Sequence, residues 1–180
     1  MHEDILSYWD SLWRDIPYDI YIGGLSILCI CAVLLLAKKG LTDGLRYIGV
    51  VILLEYAFVV YCSTVIFRHT SQDEQCNLIP LWSYLACVKE GSDRLLVENM
   101  MNVVVFVPVG VLWGYVSREG WKSAVSVGAG LSIGIELLQF IFKRGFAEVD
   151  DVIHNTIGCM IGYAIYKGTF LIYKKISISK

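Results

Sequence analysis

Two polar clusters interrupt apolar sequence toward the end of the 180-residue chain. Glu136 and Gln139 lie within IGIELLQFIF, and Asp150, Asp151 and Asn155 open EVDDVIHNTIGCMIG. A charged side chain at the centre of a spanning helix costs about 2.5–3.5 kcal/mol on insertion scales, so one retained there marks a protein-facing or water-facing site. Glu136 and Gln139 are one turn apart and share a face. Asp151, Asn155, Gly158 and Gly162 fall at i, i+4, i+7 and i+11, a single helical stripe. Carboxyls and amides in this pattern suit hydrogen bonding to a polar ligand, and Glu136 or Asp151 suits general acid or base work. Asn99 and Asn102, one turn apart, add two amides, and Asn77 a third. Arg144 reads either as a snorkelling cation at the membrane edge or as a receptor for an anionic group, and as one candidate partner for Glu136. The structural alternatives are an interhelical clamp for Glu136 and Gln139 and helix capping for Asp150. His154 reads as a surface or interfacial residue, and Glu148 as part of an exposed hairpin.

The elements that must hold these groups are helices. Apolar runs over 18–37, 47–67, 101–117, 121–142 and 152–173 are long enough, or nearly so, to cross a core of about 30 Å. The third is short and holds Pro108-x-Gly110, so it is expected to begin near Leu95 and kink at the proline. Gly158-x-x-x-Gly162 allows close helix approach, most simply against the fourth run. Ile5, Tyr8, Trp9, Leu12, Trp13 and Ile16 recur at helical spacing with acids between them, which predicts an interfacial helix or an aromatic belt. A second short helix is expected from Pro80. The fold class is therefore all-α, a polytopic membrane bundle of about five transmembrane helices with a short interfacial N-terminal helix. Its parts are an interfacial segment at 1–17, two helices over 18–67, a core at 77–163, and a helix end with a basic tail at 164–180.

Composition agrees. A charged fraction of only 18% and a mean hydropathy of +0.59 do not suit a soluble domain, and a net charge of −2 excludes a nucleic-acid binder driven by bulk basicity. Residues 1–17 carry four acids and one arginine, the wrong start for a cleavable signal, so the first apolar run is expected to remain as a span. With five spans, Arg14, Arg68, Lys89, Arg94, Lys143 and Arg144 share one side of the membrane. Lys38, Lys39, Arg46, Arg118, Lys122, Lys167, Lys174, Lys175 and Lys180 share the other. The larger basic group belongs inside, which predicts N-terminus out, C-terminus in, and the polar cluster on the extracytoplasmic face. Cys76 and Cys87 share that outer loop, where a disulfide or two free thiols would fit. Cys29-x-Cys31 is not a zinc spacing, and neither a metal site nor a cofactor is expected. Glu55, near the middle of the second run, stands apart from these clusters.

Four segments in series carry a family resemblance: Asn77-Leu78-Ile79-Pro80, Asn102-x-x-x-Phe106-x-Pro108-x-Gly110, Glu136-x-x-Gln139, and Asp150-Asp151-x-x-x-Asn155-x-x-Gly158-x-x-x-Gly162. Over residues 77–163 the chain resembles the VanZ-like family of bacterial membrane proteins, whose founding member is linked to low-level teicoplanin resistance. The resemblance implies a cell-envelope role and a phenotype rather than a reaction. Two classes of function follow. One is a non-enzymatic protein whose outer pocket binds a lipid-linked cell-wall precursor or the lipoglycopeptide drug. The other is an integral-membrane hydrolase or transferase using Glu136 and Asp151 on a lipid-linked substrate. A transporter is disfavoured because no inverted repeat is visible.

Overall fold

The computed structural model describes residues 2–14, 16–39, 41–68, 76–90, 93–117 and 119–178. Along them run α1 (His2–Arg14), α2 (Tyr18–Lys39), α3 (Leu41–Tyr61), a π-helical turn (Cys62–Ile66), β1 (Cys76–Asn77), α4 (Trp82–Glu90), α5 (Arg94–Val116), α6 (Trp121–Phe142), β2 (Ala147–Glu148) and α7 (Val149–Ile178). The two short strands pair in parallel, Cys76 opposite Ala147 and Asn77 opposite Glu148. Side chains of Tyr8, Leu12 and Lys39, together with Arg118 and Lys180, which entered the sequence reading, lie outside the described residues.

Four helices, α2, α3, α5 and α6, are long and apolar enough to cross a membrane. At 1.5 Å per residue the 23 residues of α5 reach about 35 Å, enough for the hydrocarbon core. The fifth expected span, α7, is a 30-residue helix but does not join that group. Asp150, Asp151, His154 and Asn155 at its head, and Lys167, Lys174 and Lys175 in its tail, dilute its apolar content. Burial replaces lipid exposure along its first half, where it packs on α5 and α6.

The glycine stripe of α7 faces α5 rather than the expected α6. A methyl group on Gly158 would collide with the Val103 carbonyl, one on Gly162 with the Val107 carbonyl, and one on Gly110 with the Cys159 carbonyl. Both helices therefore surrender side chains so that their backbones can touch, which is how helices gain packing energy where lipid supplies no hydrophobic drive. Val60, Val105, Phe106, Val109, Ile135 and Tyr163 fill the core around this seam. Helix α5 begins at Arg94, as the expected early start required, and continues through Pro108.

Helix α2 packs chiefly on α3 and leaves Ile22, Leu25, Ile27, Ile30 and Val33 exposed for lipid. The expected N-terminal helix forms as α1, but it folds back onto α5 and the π-helical turn. Trp13 packs against the core, and the Tyr21 hydroxyl donates to the Trp13 carbonyl at 3.4 Å. The short helix expected from Pro80 starts two residues later, at Trp82, because Leu81 is left-handed (φ 61°) and cannot open a helix. Cys76 and Cys87 are free thiols, as are the other four cysteines.

Candidate functional site

One end of the bundle collects the polar groups. The C-terminal ends of α3 and α6 and the N-terminal ends of α4, α5 and α7 meet there, tied by the β1–β2 pair. Two local devices shape it. The π-helical turn closes with Phe67 N–H donating to the Cys62 carbonyl at 2.9 Å, a geometry that recurs at functional sites. Helix α6 ends in a left-handed Lys143 (φ 53°), with Arg144 N–H on the Gln139 carbonyl at 2.8 Å and Lys143 N–H on the Phe140 carbonyl at 3.3 Å. That Schellman pattern turns the chain sharply toward β2.

The centre of this end is a group of carboxyls. Glu136, 8% exposed, accepts the Glu148 backbone N–H at 2.8 Å. Asp151 accepts the Asn102 amide at 2.7 Å. Glu136 lies within electrostatic reach of Asp151, Glu148 and Arg68, and Asp151 within reach of Arg68, Glu98 and Asp150. Glu136 and Asp151 thus flank Arg68, Glu148 stands beside both of these acids, and Glu98 is ion-paired with Arg94 at 3.0 Å. Burial, then the neighbouring Asp151, Asp150 and Glu98 charges, push the Glu148 carboxyl up to about 7. The Arg68 guanidinium lies across Gly145, where a side chain would come within 2.9 Å of Cζ. Among the described residues, no set of three or more His, Cys, Asp or Glu side chains is arranged to hold a metal ion.

Other residues expected at the site build it instead. Asp150 is fully buried and accepts from Leu81 N–H, from Ser83 N–H at 3.1 Å and from the Ser83 hydroxyl at 2.6 Å. It caps the start of α4, a neighbouring helix, rather than only its own. Asn99 donates to the same Ser83 hydroxyl at 2.9 Å, so it faces α4 while Asn102 faces α7, and the two amides diverge. Gln139 donates to the Thr64 carbonyl at 3.0 Å and clamps α6 to the π-helical turn. Asn155 donates to the Ser132 hydroxyl at 2.8 Å and clamps α7 to α6. Asn77 accepts the Ile79 N–H at 3.0 Å, shaping the turn beside Glu148. Arg144 spends its guanidinium on the Ile66 and Arg68 carbonyls, at 2.7 and 2.9 Å.

Three readings are corrected by this geometry. Arg68, not Arg144, is the cation beside Glu136. Glu148 is half-buried among the acids rather than on an exposed hairpin. His154 is 5% exposed and hydrogen-bonded on both ring nitrogens rather than at a surface. Sequence reasoning also left out Glu98 and Ser83. Glu98 carried a readable signal, since it stands one turn before Asn102. Ser83 carried none, because its role depends on Asp150, 67 residues away. Glu55 lies outside the cluster, on α3 facing Gly24 of α2, and its buried Oε1 has no hydrogen-bond partner among the described residues.

Fold and site together define a polytopic helical membrane protein with a carboxyl-rich polar cluster at one end. The VanZ/LLP1 family model matches residues 48–173, and the chain belongs to that family. Over 70 residues, 38% of this chain, it is 36% identical to Protein VanZ of Enterococcus faecium, and the matched part is 44% of that protein's length. The chain thus spans less than half of this curated relative. No solved structure matches the chain.

Proposed function

We propose that the protein modulates glycopeptide susceptibility of the teicoplanin type, by binding an envelope precursor or the drug at this polar end, facing outward. The observation that carries the reading is the convergence of five helix ends on Glu98, Glu136, Glu148, Asp151, Asn102 and Arg68. Three acids gathered around Arg68 give no packing advantage that apolar side chains would not give better. With Glu98 paired to Arg94, the excess of Glu136, Glu148 and Asp151 over Arg68 suits a ligand rich in N–H and O–H donors, such as a peptide or an amino-bearing glycopeptide, better than a bare phosphate. The outward orientation rests on the lysine and arginine bias, nine against six when α7 is counted as the fifth crossing. The resistance phenotype rests on kinship to Protein VanZ, which matches in part.

The test is teicoplanin susceptibility of a sensitive Gram-positive host expressing the chain, with vancomycin in parallel. Glu136→Gln and Asp151→Asn are compared at equal membrane abundance. Raised tolerance that both variants lose supports the reading, and an unchanged host refutes it. A second reading, a hydrolase or transferase acting on a lipid-linked substrate, draws on the proximity of Glu136 to Asp151, which suits a paired acid and base. It requires Glu136→Gln to abolish turnover of such a substrate by the purified chain.

A further inference from the structure

A surface concavity of about 580 Å³ lies between α4 and α7, beside the Asp150 anchor. Leu81, Leu85, Ile153 and Ile157 form its walls, and Tyr84 and His154 supply its polar groups. Asp150, His154 and Ile157 fall at i, i+4 and i+7 and face α4, whereas Asp151, Asn155 and Gly158 face α5 and α6. The cavity is therefore separate from the site described above, and nothing in the proposed function uses it.

Its hydrogen-bond polarity follows from the network. The His154 ring nitrogen Nδ1 lies 2.6 Å from the Asp150 carbonyl oxygen, which can only accept. In the uncharged imidazole the proton is therefore on Nδ1, and Nε2 can only accept. Tyr84, whose hydroxyl is 2.7 Å from Nε2, must donate to it. The phenolic oxygen is left with lone pairs and no proton, so the polar end of the cavity is an acceptor. The Asp150 carboxylate is committed to α4 and offers nothing to a cation. No lysine or arginine lines the cavity, so an anion finds no partner there either.

The surroundings identify where an occupant comes from. Leu78, Ile79, Leu85 and Val88, on α4 and its lead-in, are 76, 64, 61 and 85% exposed. In a chain with four helices long and apolar enough to cross a membrane, lipid covers such a surface, and Leu85 belongs both to it and to the lining of the cavity. The lining resembles that of small-molecule sites, which are apolar with a few placed polar groups. We infer that this cavity binds an uncharged membrane amphiphile of the diacylglycerol class, its chain along Leu85 and Ile157 and its hydroxyl donating to the Tyr84 oxygen.

The test uses the purified full chain in lipid nanodiscs with two photoreactive probes. One is a diacylglycerol carrying a diazirine on one acyl chain, and the other is its methyl ether, identical but lacking the hydroxyl proton. The alcohol should label peptides containing residues 81–85 and 153–157, and the ether should label them about fivefold less, the worth of one neutral hydrogen bond. Tyr84→Phe should bring the alcohol down to the level of the ether, and Leu85→Trp should block both by filling the cavity. Equal labelling by alcohol and ether in the wild type overturns the inference without any variant. Undiminished labelling of Leu85→Trp overturns it as well.

Discussion

Asp150 and Asp151 are adjacent acids that the structure separates by role, and replacing each in turn tests that separation. Asp150 is fully buried and satisfies three donors, Leu81 N–H, Ser83 N–H and the Ser83 hydroxyl. Asp150→Ala strips the acceptor from all three. Each buried donor left unpaired costs about 1–3 kcal/mol, and the hydroxyl can turn elsewhere, so the net loss should be about 3–5 kcal/mol. For a chain of this size that corresponds to a midpoint lower by roughly 6–20 °C. Asp150→Asn keeps one acceptor oxygen and should lose about half as much. Asp151→Asn keeps an oxygen for Asn102 and removes one acid from among its like-charged neighbours, so it should stay within about 1 kcal/mol of wild type. The assay is thermal challenge of the purified full chain in detergent, followed by size-exclusion chromatography of the surviving monodisperse fraction. If Asp150→Ala melted within about 2 °C of wild type, or Asp151→Asn fell as far as Asp150→Ala, the division into an anchor and a site residue would be wrong.

Gly158→Val should destabilise by about 3 kcal/mol or more, since its first carbon already meets the Val103 carbonyl. Gly168→Ala, with nothing near its would-be Cβ, should match or exceed wild-type stability in the same thermal assay. Because the Glu148 carboxyl is raised to about 7, the unfolded chain ionises it first, so its stabilising effect is present below its ordinary value of 4.5 and is lost as pH rises through 7. Melting temperatures from pH 5 to 8 should fall less for Glu148→Gln, by about 1–2 kcal/mol after allowance for its partial exposure. Arg144→Met removes two carbonyl contacts at the end of α3 and should cost about 1–2 kcal/mol while leaving the susceptibility phenotype in place, read by the same melt and host assay.

The long apolar runs made the helices legible, because length and hydropathy decide membrane crossing almost without reference to neighbours. The stripe Asp151–Asn155–Gly158–Gly162 was legible for the same reason: helical periodicity is local. Which helix it meets was not. Gly158 and Gly162 announce a close approach, but α5 was chosen over α6 by Gly110 and the bare carbonyls of Val103 and Val107, and a bare carbonyl has no sequence signature. The same limit explains the exchange of Arg144 for Arg68. Both follow apolar runs, and only the Schellman turn after Phe142 decides that Arg144 points back to the carbonyls at the end of α3. Asp150 looked like a cap and is one, for a helix that begins 68 residues earlier at Trp82.

The rigidity of the α5–α7 seam bears directly on the carboxyls. Asp150 and Asp151 project about 100° apart on α7, so one helical turn feeds two faces, α4 on one and α5 on the other. Sliding or rotating α7 by one residue would pull Asp150 from the α4 amides and Asp151 from Asn102 together. The Gly158–Val103, Gly162–Val107 and Gly110–Cys159 contacts leave no room for that slide, since each is backbone on backbone. The glycines in the bundle interior therefore fix α7 against α5, and with it the places of Asp150 on α4 and of Asp151 beside Asn102 at the end of the bundle.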